Sequence, residues 1–101
     1  MDESGRKGPR FAIRRPDGEV ILPIVLKETL IGRIDSNHLV LDDPLVSRVH
    51  AKVVLSDGAV EIEDCGSSRG TKVNGELIDR AFLHHGDVVK VGQVLLEFLA
   101  D

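Results

Sequence analysis

The sequence predicts an all-β fold, an antiparallel sandwich or barrel of about ten short strands. Three observations carry this. Short runs rich in Val, Ile and Leu recur along the chain. Turn chemistry separates them, in Arg15-Pro16-Asp17-Gly18-Glu19, Ser56-Asp57-Gly58, Asn74-Gly75, His85-Gly86-Asp87 and Gly92-Gln93. Several runs also alternate with the period of a half-buried strand. Val49, Ala51, Val53 and Leu55 fall on one side, with His50 and Lys52 opposite, and Val60 and Ile62 alternate with Glu61 and Glu63. No stretch of about a dozen residues holds the period of an amphipathic helix.

Taken in order, residues 1–9 are expected to form a disordered lead-in, rich in Gly and charge and poor in apolar side chains. Residues 10–101 are expected to form a single domain. The first strand covers 11–14 and turns through Pro16-Asp17-Gly18 into the run 20–26. Pro23 within that run implies an edge strand or a bulge, because proline has no amide to give a central ladder. Further strands are expected at 29–34, 38–41, 49–55, 59–64, 71–73, 76–78, 87–91 and 94–99. Phe11, Phe82 and Phe98, the chain's aromatic residues, sit in apolar runs and are expected in the core. That leaves no platform for stacking nucleic-acid bases.

Composition narrows the function. The net charge is −4, from 13 basic and 17 acidic side chains, which argues against a general nucleic-acid binder. No apolar run approaches the ~20 residues of a membrane-spanning helix, and the first ten residues lack the apolar segment of a secretory signal. Cys65 is the single cysteine, so no internal disulfide forms, and the chain leans to a reducing, cytoplasmic setting. Past the basic N-terminus acids outnumber bases, yet Arg33, Arg48, Arg69 and Lys72 fall at turn-like places. Cations gathered on loops of an acidic protein suggest a local anion site.

Ser47, Arg48 and His50 lie within one four-residue stretch, a grouping that raises the question of nucleophilic catalysis. A serine nucleophile needs its hydroxyl against an oriented imidazole, and strand residues three apart point to opposite faces. No nucleophile elbow of the form Gly-x-Ser-x-Gly is present either, so no catalytic residue is assigned. His50, His84, His85, Asp87 and Cys65 lack the spacing of a zinc site. The glycines are isolated, with no Gly-x-Gly-x-x-Gly opening a helix, so neither metal nor cofactor is expected. An anion site fits better. Arg33 follows Gly32, Ser47 sits at a strand mouth, and Ser67, Ser68 and Gly70 offer hydroxyls and a backbone suited to an anion nest.

Read together, Gly32-Arg33, Leu41-Asp42-Asp43, Val46-Ser47-Arg48-Val49-His50-Ala51, Ile62 to Gly75 and Gly86-Asp87 through Gly92 resemble the forkhead-associated (FHA) domain family. The resemblance runs from about Leu30 to Phe98, and its pieces are specific in this order and spacing. It implies an FHA-like sandwich of eleven strands with recognition loops at one end, binding phosphothreonine peptides. By the same resemblance Arg33, Ser47 and Arg48 would meet the phosphate, and Ser68 would help hold the phosphothreonine. His50 would brace the loops, with Gly32, Gly70, Asn74 and Gly75 as structural support. Arg69 stands where the family usually has asparagine. An arginine cannot accept a hydrogen bond, so three outcomes are open here: a second cation near the phosphate, a preference for acids after the phosphothreonine, or weakened or altered phosphopeptide binding. The expected role is an adaptor that reads Ser/Thr-kinase output, its partner a kinase substrate or the kinase itself. The alternative is a phosphate-independent assembly module of the same fold.

Overall fold

The structure, a computed structural model, describes residues 8–101. Among these the chain forms eleven strands: β1 (Arg10–Arg15), β2 (Gly18–Pro23), β3 (Glu28–Gly32), β4 (Leu39–Val40), β5 (Ala51–Ser56), β6 (Ala59–Asp64), β7 (Thr71–Val73), β8 (Glu76–Ile78), β9 (Arg80–Phe82), β10 (Val88–Val91) and β11 (Val94–Leu99). The lead-in expected over residues 1–9 lies outside the described residues except for Gly8 and Pro9, whose carbonyl accepts the Ile24 amide at 2.9 Å. No helix in this region is long and apolar enough to cross a membrane.

The strands build two sheets, ordered β2-β1-β11-β10-β7-β8 and β4-β3-β5-β6-β9. Each contributes one apolar face. Phe11, Ile13, Val89, Val91, Leu96 and Phe98 from the first sheet meet Ile31, Ala51, Val53, Val60 and Ile62 from the second. Phe11 and Phe98 are cross-strand partners and pack edge to face, with ring centroids 5.9 Å apart. β2 is an edge strand that ends at Pro23, the first of the two placements that the proline left open. Asp57-Gly58 and Asn74-Gly75 close two-residue hairpins with positive φ at both central positions, the geometry that matches strand twist.

Four features differ from the sequence reading. Pairing is antiparallel throughout except between β3 and β4, which run parallel over Ile31↔Leu39 and Gly32↔Val40. The strand β9 matches none of the strands expected from the sequence. It pairs with β6 through Glu61↔Phe82, Ile62↔Ala81 and Glu63↔Arg80. Ile62 points inward, so Phe82 shares the outer face with Glu61 and is 60% exposed rather than in the core. The alternation puts Val49 on the apolar face and His50 opposite it beside Lys52, but His50 is fully buried and Val49 is exposed. The ladder begins only at Ala51, so the alternation does not reach back to His50.

The fold gathers the segments 33–38, 41–50 and 65–70 and the 92–93 turn at one end of the sandwich. Asp43 ties this end together. Its carboxylate accepts the Leu45 amide within its own loop and the Gln93 amide from the β10–β11 turn, at 2.9 and 2.8 Å. The Leu45 amide first, then that of Gln93, hold its carboxyl below the ordinary value of 3.8.

Candidate functional site

Arg33 is the residue immediately after β3, and its backbone enters the 41–50 segment. Its amide donates to the carbonyls of Ser47 and Arg48, at 3.0 and 3.1 Å. Its side-chain Nε donates to the Val46 carbonyl at 2.9 Å. The guanidinium is thereby clamped by its inner nitrogen, leaving both terminal nitrogens outside that bond.

Gly32 makes this approach possible. A Cβ there would collide with the Arg48 carbonyl and lie 2.7 Å from Asn37 Nδ2. Only glycine lets the two backbones come this close. Asn37, which the sequence did not flag, completes the junction. It is 6% exposed, and its Nδ2 donates to the Ile34 and Arg48 carbonyls at 2.8 and 2.7 Å. The Arg48 carbonyl is thus a hub for two loops, and its side chain is exposed.

His50 links three segments from beneath. The Ser47 amide donates to its Nδ1 at 3.0 Å. Because Nδ1 accepts, the proton sits on Nε2, which donates to the Gly70 carbonyl at 2.9 Å. The backbone of His50 adds a bond from its amide to Ile31 and one at its carbonyl from Cys65, at 2.8 and 2.9 Å. The imidazole therefore faces the Ser47 amide and not its hydroxyl. Ser47 Oγ instead accepts the Ser68 amide at 3.0 Å, which leaves the hydroxyl proton available as a donor. This bond joins the 41–50 and 65–70 segments across the mouth of the site.

The 65–70 loop is organised by Asp64, the last residue of β6. One carboxylate oxygen accepts the amides of Gly66 and Ser67, at 3.1 and 3.0 Å. The other accepts the hydroxyls of Ser67 and Thr71, at 2.5 and 2.8 Å. Ser67 Oγ in turn accepts the Gly70 amide at 2.9 Å. Several amides expected to cradle an anion are therefore spent on the loop itself. Those of Arg48 and Arg69 stay outside this internal network.

Asp64 also gives the loop a pH dependence. Burial would raise its carboxyl, but the hydroxyls of Ser67 and Thr71 and the Ser67 amide outweigh it and hold the carboxyl below 3.8. A depressed carboxylate stabilises the fold above its unfolded value, and that contribution is lost as pH falls through the folded value. Between about pH 5 and about pH 3 the Gly66 and Ser67 amides are therefore expected to lose exchange protection beyond the intrinsic rate change. Equal corrected protection at both pH values would contradict the clasp.

The structure thus brings Arg33, Ser47, Arg48, Ser68 and Arg69 to one end, supported by Gly32, His50 and Gly70. Asn74 and Gly75 lie at the other end of β7, where Asn74 bonds Asp87 and Val88 at 2.9 Å. There the Asn74 side chain first, then the His84 amide, lower the Asp87 carboxyl. Arg33, Arg48 and Arg69 are exposed, and none forms an ion pair among the described residues. Cys65 is exposed, and burial of its sulfur leads the causes that raise its thiol, which disfavours a reactive thiolate. Among the described residues, no three His, Cys, Asp or Glu side chains gather as a metal set.

Comparison with known proteins bears on this arrangement. The FHA domain family model matches residues 29–92. The chain is similar to the ATP-binding/permease transporter protein Rv1747 of Mycobacterium tuberculosis, 47% identical over 67% of this chain and 8% of the transporter. It is also similar to the glycogen accumulation regulator GarA of Mycolicibacterium smegmatis, 44% identical over 91% of this chain. The chain spans about half the length of GarA, 51%, and far less of the transporter. Among solved structures, Mycobacterium tuberculosis EmbR in complex with a low-affinity phosphopeptide superposes with a TM-score of 0.87. That likeness is 29% identical in sequence and covers 100% of this chain and 27% of EmbR. With the family model spanning the strands and loops that assemble the arginine-and-serine end of the sandwich, the chain belongs to the FHA domain family.

Proposed function

We propose that this chain binds phosphothreonine peptides and acts as a cytoplasmic adaptor that reads Ser/Thr-kinase output, without chemistry of its own. The observation that carries the reading is the pairing of Arg33 with Ser47. The guanidinium is fixed by the Val46 carbonyl, and the hydroxyl by the Ser68 amide, on adjoining backbone. EmbR, of the same fold, holds a phosphopeptide. A phosphothreonine carries about −1.5 to −2 charge near neutral pH. Arg33 and Arg48 supply the opposing charge, Ser47 a short hydroxyl bond, and Ser68 a contact beside the threonine. Charge-assisted bonds contribute roughly 1.5–3 kcal/mol each. Set against the cost of association, three or four of them give roughly micromolar affinity.

Titration of a phosphothreonine peptide library against its unphosphorylated copy tests the reading. Micromolar binding confined to the phosphorylated set is expected, and indistinguishable binding would remove the proposal. The alternative is assembly through another face, independent of phosphate. Phe82, 60% exposed on the edge strand β9, is the observation that favours it. High salt separates the two, because it weakens a phosphate contact and spares an apolar one.

A further inference from the structure

Each sheet has two edges, and three of the four edge strands are short. β4 has two residues, and β8 and β9 have three each. Shortness protects an edge from pairing with another chain. β2 is the exception, with six residues. No lysine or bulge blunts it, and Pro23 blocks only its end. Its one charged side chain, Glu19, already has Arg14 at 3.8 Å. Apolar side chains crowd the same stretch. Val20, Ile21, Val25 and Leu26 are all exposed, Val25 at 75%. Such a concentration along one edge marks an interaction surface.

The register shows which backbone groups of β2 are free. Antiparallel pairs alternate between bonded and non-bonded. Pro9 and Ile24 continue the β1–β2 register, and the Ile24 amide donates to the Pro9 carbonyl. From that bonded pair onward, Phe11↔Leu22, Ile13↔Val20 and Arg15↔Gly18 are bonded, whereas Arg10↔Pro23, Ala12↔Ile21 and Arg14↔Glu19 are not. Glu19, Ile21 and Pro23 therefore turn their backbone groups away from β1. Pro23 fits there because it has no N–H to leave unpaired. Among the described residues, none of the bonds outside the ladders reaches the backbone of Glu19 or Ile21.

These free groups match a copy of themselves. A two-fold axis through Val20 sets Glu19 of each strand against Ile21 of the other, and every outward amide and carbonyl of those residues finds a partner. Val20 then faces the Val20 of the second copy in a non-bonded pair, with Cα atoms about 4.5 Å apart. An axis through Ile21 sets Glu19 against Pro23 instead, and the Glu19 carbonyl is left without a donor. The proline thus selects the register.

We infer that two copies of this chain associate antiparallel through β2, centred on Val20, so that their first sheets become continuous. The inference stands apart from the phosphopeptide reading. Its consequence for that reading is geometric. The antiparallel arrangement points the two recognition ends in opposite directions, so the dimer bridges two partners and does not grip one partner twice.

Sedimentation and hydrogen exchange of the unmodified chain, from about 10 μM to about 1 mM, test it. The mass is expected to rise from one copy and level at two, since a two-fold interface closes on itself. Protection of the Glu19 and Ile21 amides is expected to rise about fivefold or more over this range. The Val20 and Leu22 amides, already bonded to β1, should change by less than about twofold. Ile21→Pro removes one outward amide and spares the β1 ladder, while Val20→Glu sets two like charges at the axis. Each is expected to weaken association about tenfold or more. Both side chains are exposed in the single chain, so at the dilute end the melting temperature should hold within about 4 °C. Should either variant lose its fold, the exchange pattern of the unmodified chain decides alone. A chain that keeps the mass of one copy at about 1 mM overturns the proposal and leaves this edge to a strand of a different chain. A dimer whose Glu19 and Ile21 amides gain no protection, or one that survives both substitutions, overturns it too. Dissociation of such a dimer by Phe82→Ser assigns the contact to β9. Mass that climbs past two copies also overturns it.

Discussion

Arg33→Ala is expected to weaken phosphothreonine-peptide binding at least tenfold while leaving the domain folded. The guanidinium is anchored by Nε to the Val46 carbonyl, so its terminal nitrogens meet an incoming phosphate already oriented. Loss of one charge-assisted bond costs about 1.5–3 kcal/mol, or roughly 10- to 150-fold in affinity. Stability should change much less. The side chain is exposed, and only the bond to Val46 is lost, worth about 0.5–1.5 kcal/mol. Arg33→Lys is expected to recover little, because an ammonium has neither the planar fork nor an Nε to hold it against Val46. Calorimetric titration of one phosphopeptide against both variants, beside their melting curves, checks the claim. Unchanged affinity in Arg33→Ala would show that the phosphate sits elsewhere.

The parts of this fold that were legible in the sequence are those fixed by local chemistry. Asp57-Gly58 and Asn74-Gly75 demanded tight hairpins because few other pairs accept positive φ at both positions. Pro23 restricted its strand to an edge or a bulge, and the sheet places it at the edge. The hidden parts depend on partners distant in sequence. β9 is three residues long, and its placement comes from backbone pairing with β6 rather than from any alternation of its own. The parallel β3–β4 pair joins strands separated by a short loop, where parallel pairing ordinarily needs a long crossover.

The site divides the same way. Arg33, Ser47 and Ser68 could be named from an ordered motif, but the bonds that aim them could not. Asp64 had a local signal, since a carboxylate three residues before Ser67 is a familiar side-chain turn. Asn37 had none. Its two acceptors come from its own loop and from Arg48, and only the close approach at Gly32 brings them together. The anion nest was read from composition, whereas the structure uses those amides to brace the loop on Asp64 and Ser47.

His50→Ala should produce the largest loss of stability among substitutions at this end of the molecule. The side chain is wholly buried, and it satisfies the Ser47 amide on one nitrogen and the Gly70 carbonyl on the other. Alanine reaches neither. Each stranded backbone group costs about 1–3 kcal/mol, and the vacated volume adds to this. A total near 3 kcal/mol is expected, or a fall of roughly 12–24 °C in melting temperature for a domain of this size. Binding should fall as well, though for a different reason than in Arg33→Ala. The phosphate-facing groups remain, but Ser47 and Ser68 are no longer held in register by the imidazole between their loops. Hydrogen exchange separates the two cases. His50→Ala should expose the Ser47 amide, whereas Arg33→Ala should leave it protected. A His50→Ala domain that melts within about two degrees of the parent would mean that the loops hold themselves, and that the imidazole is not the strut assigned to it here.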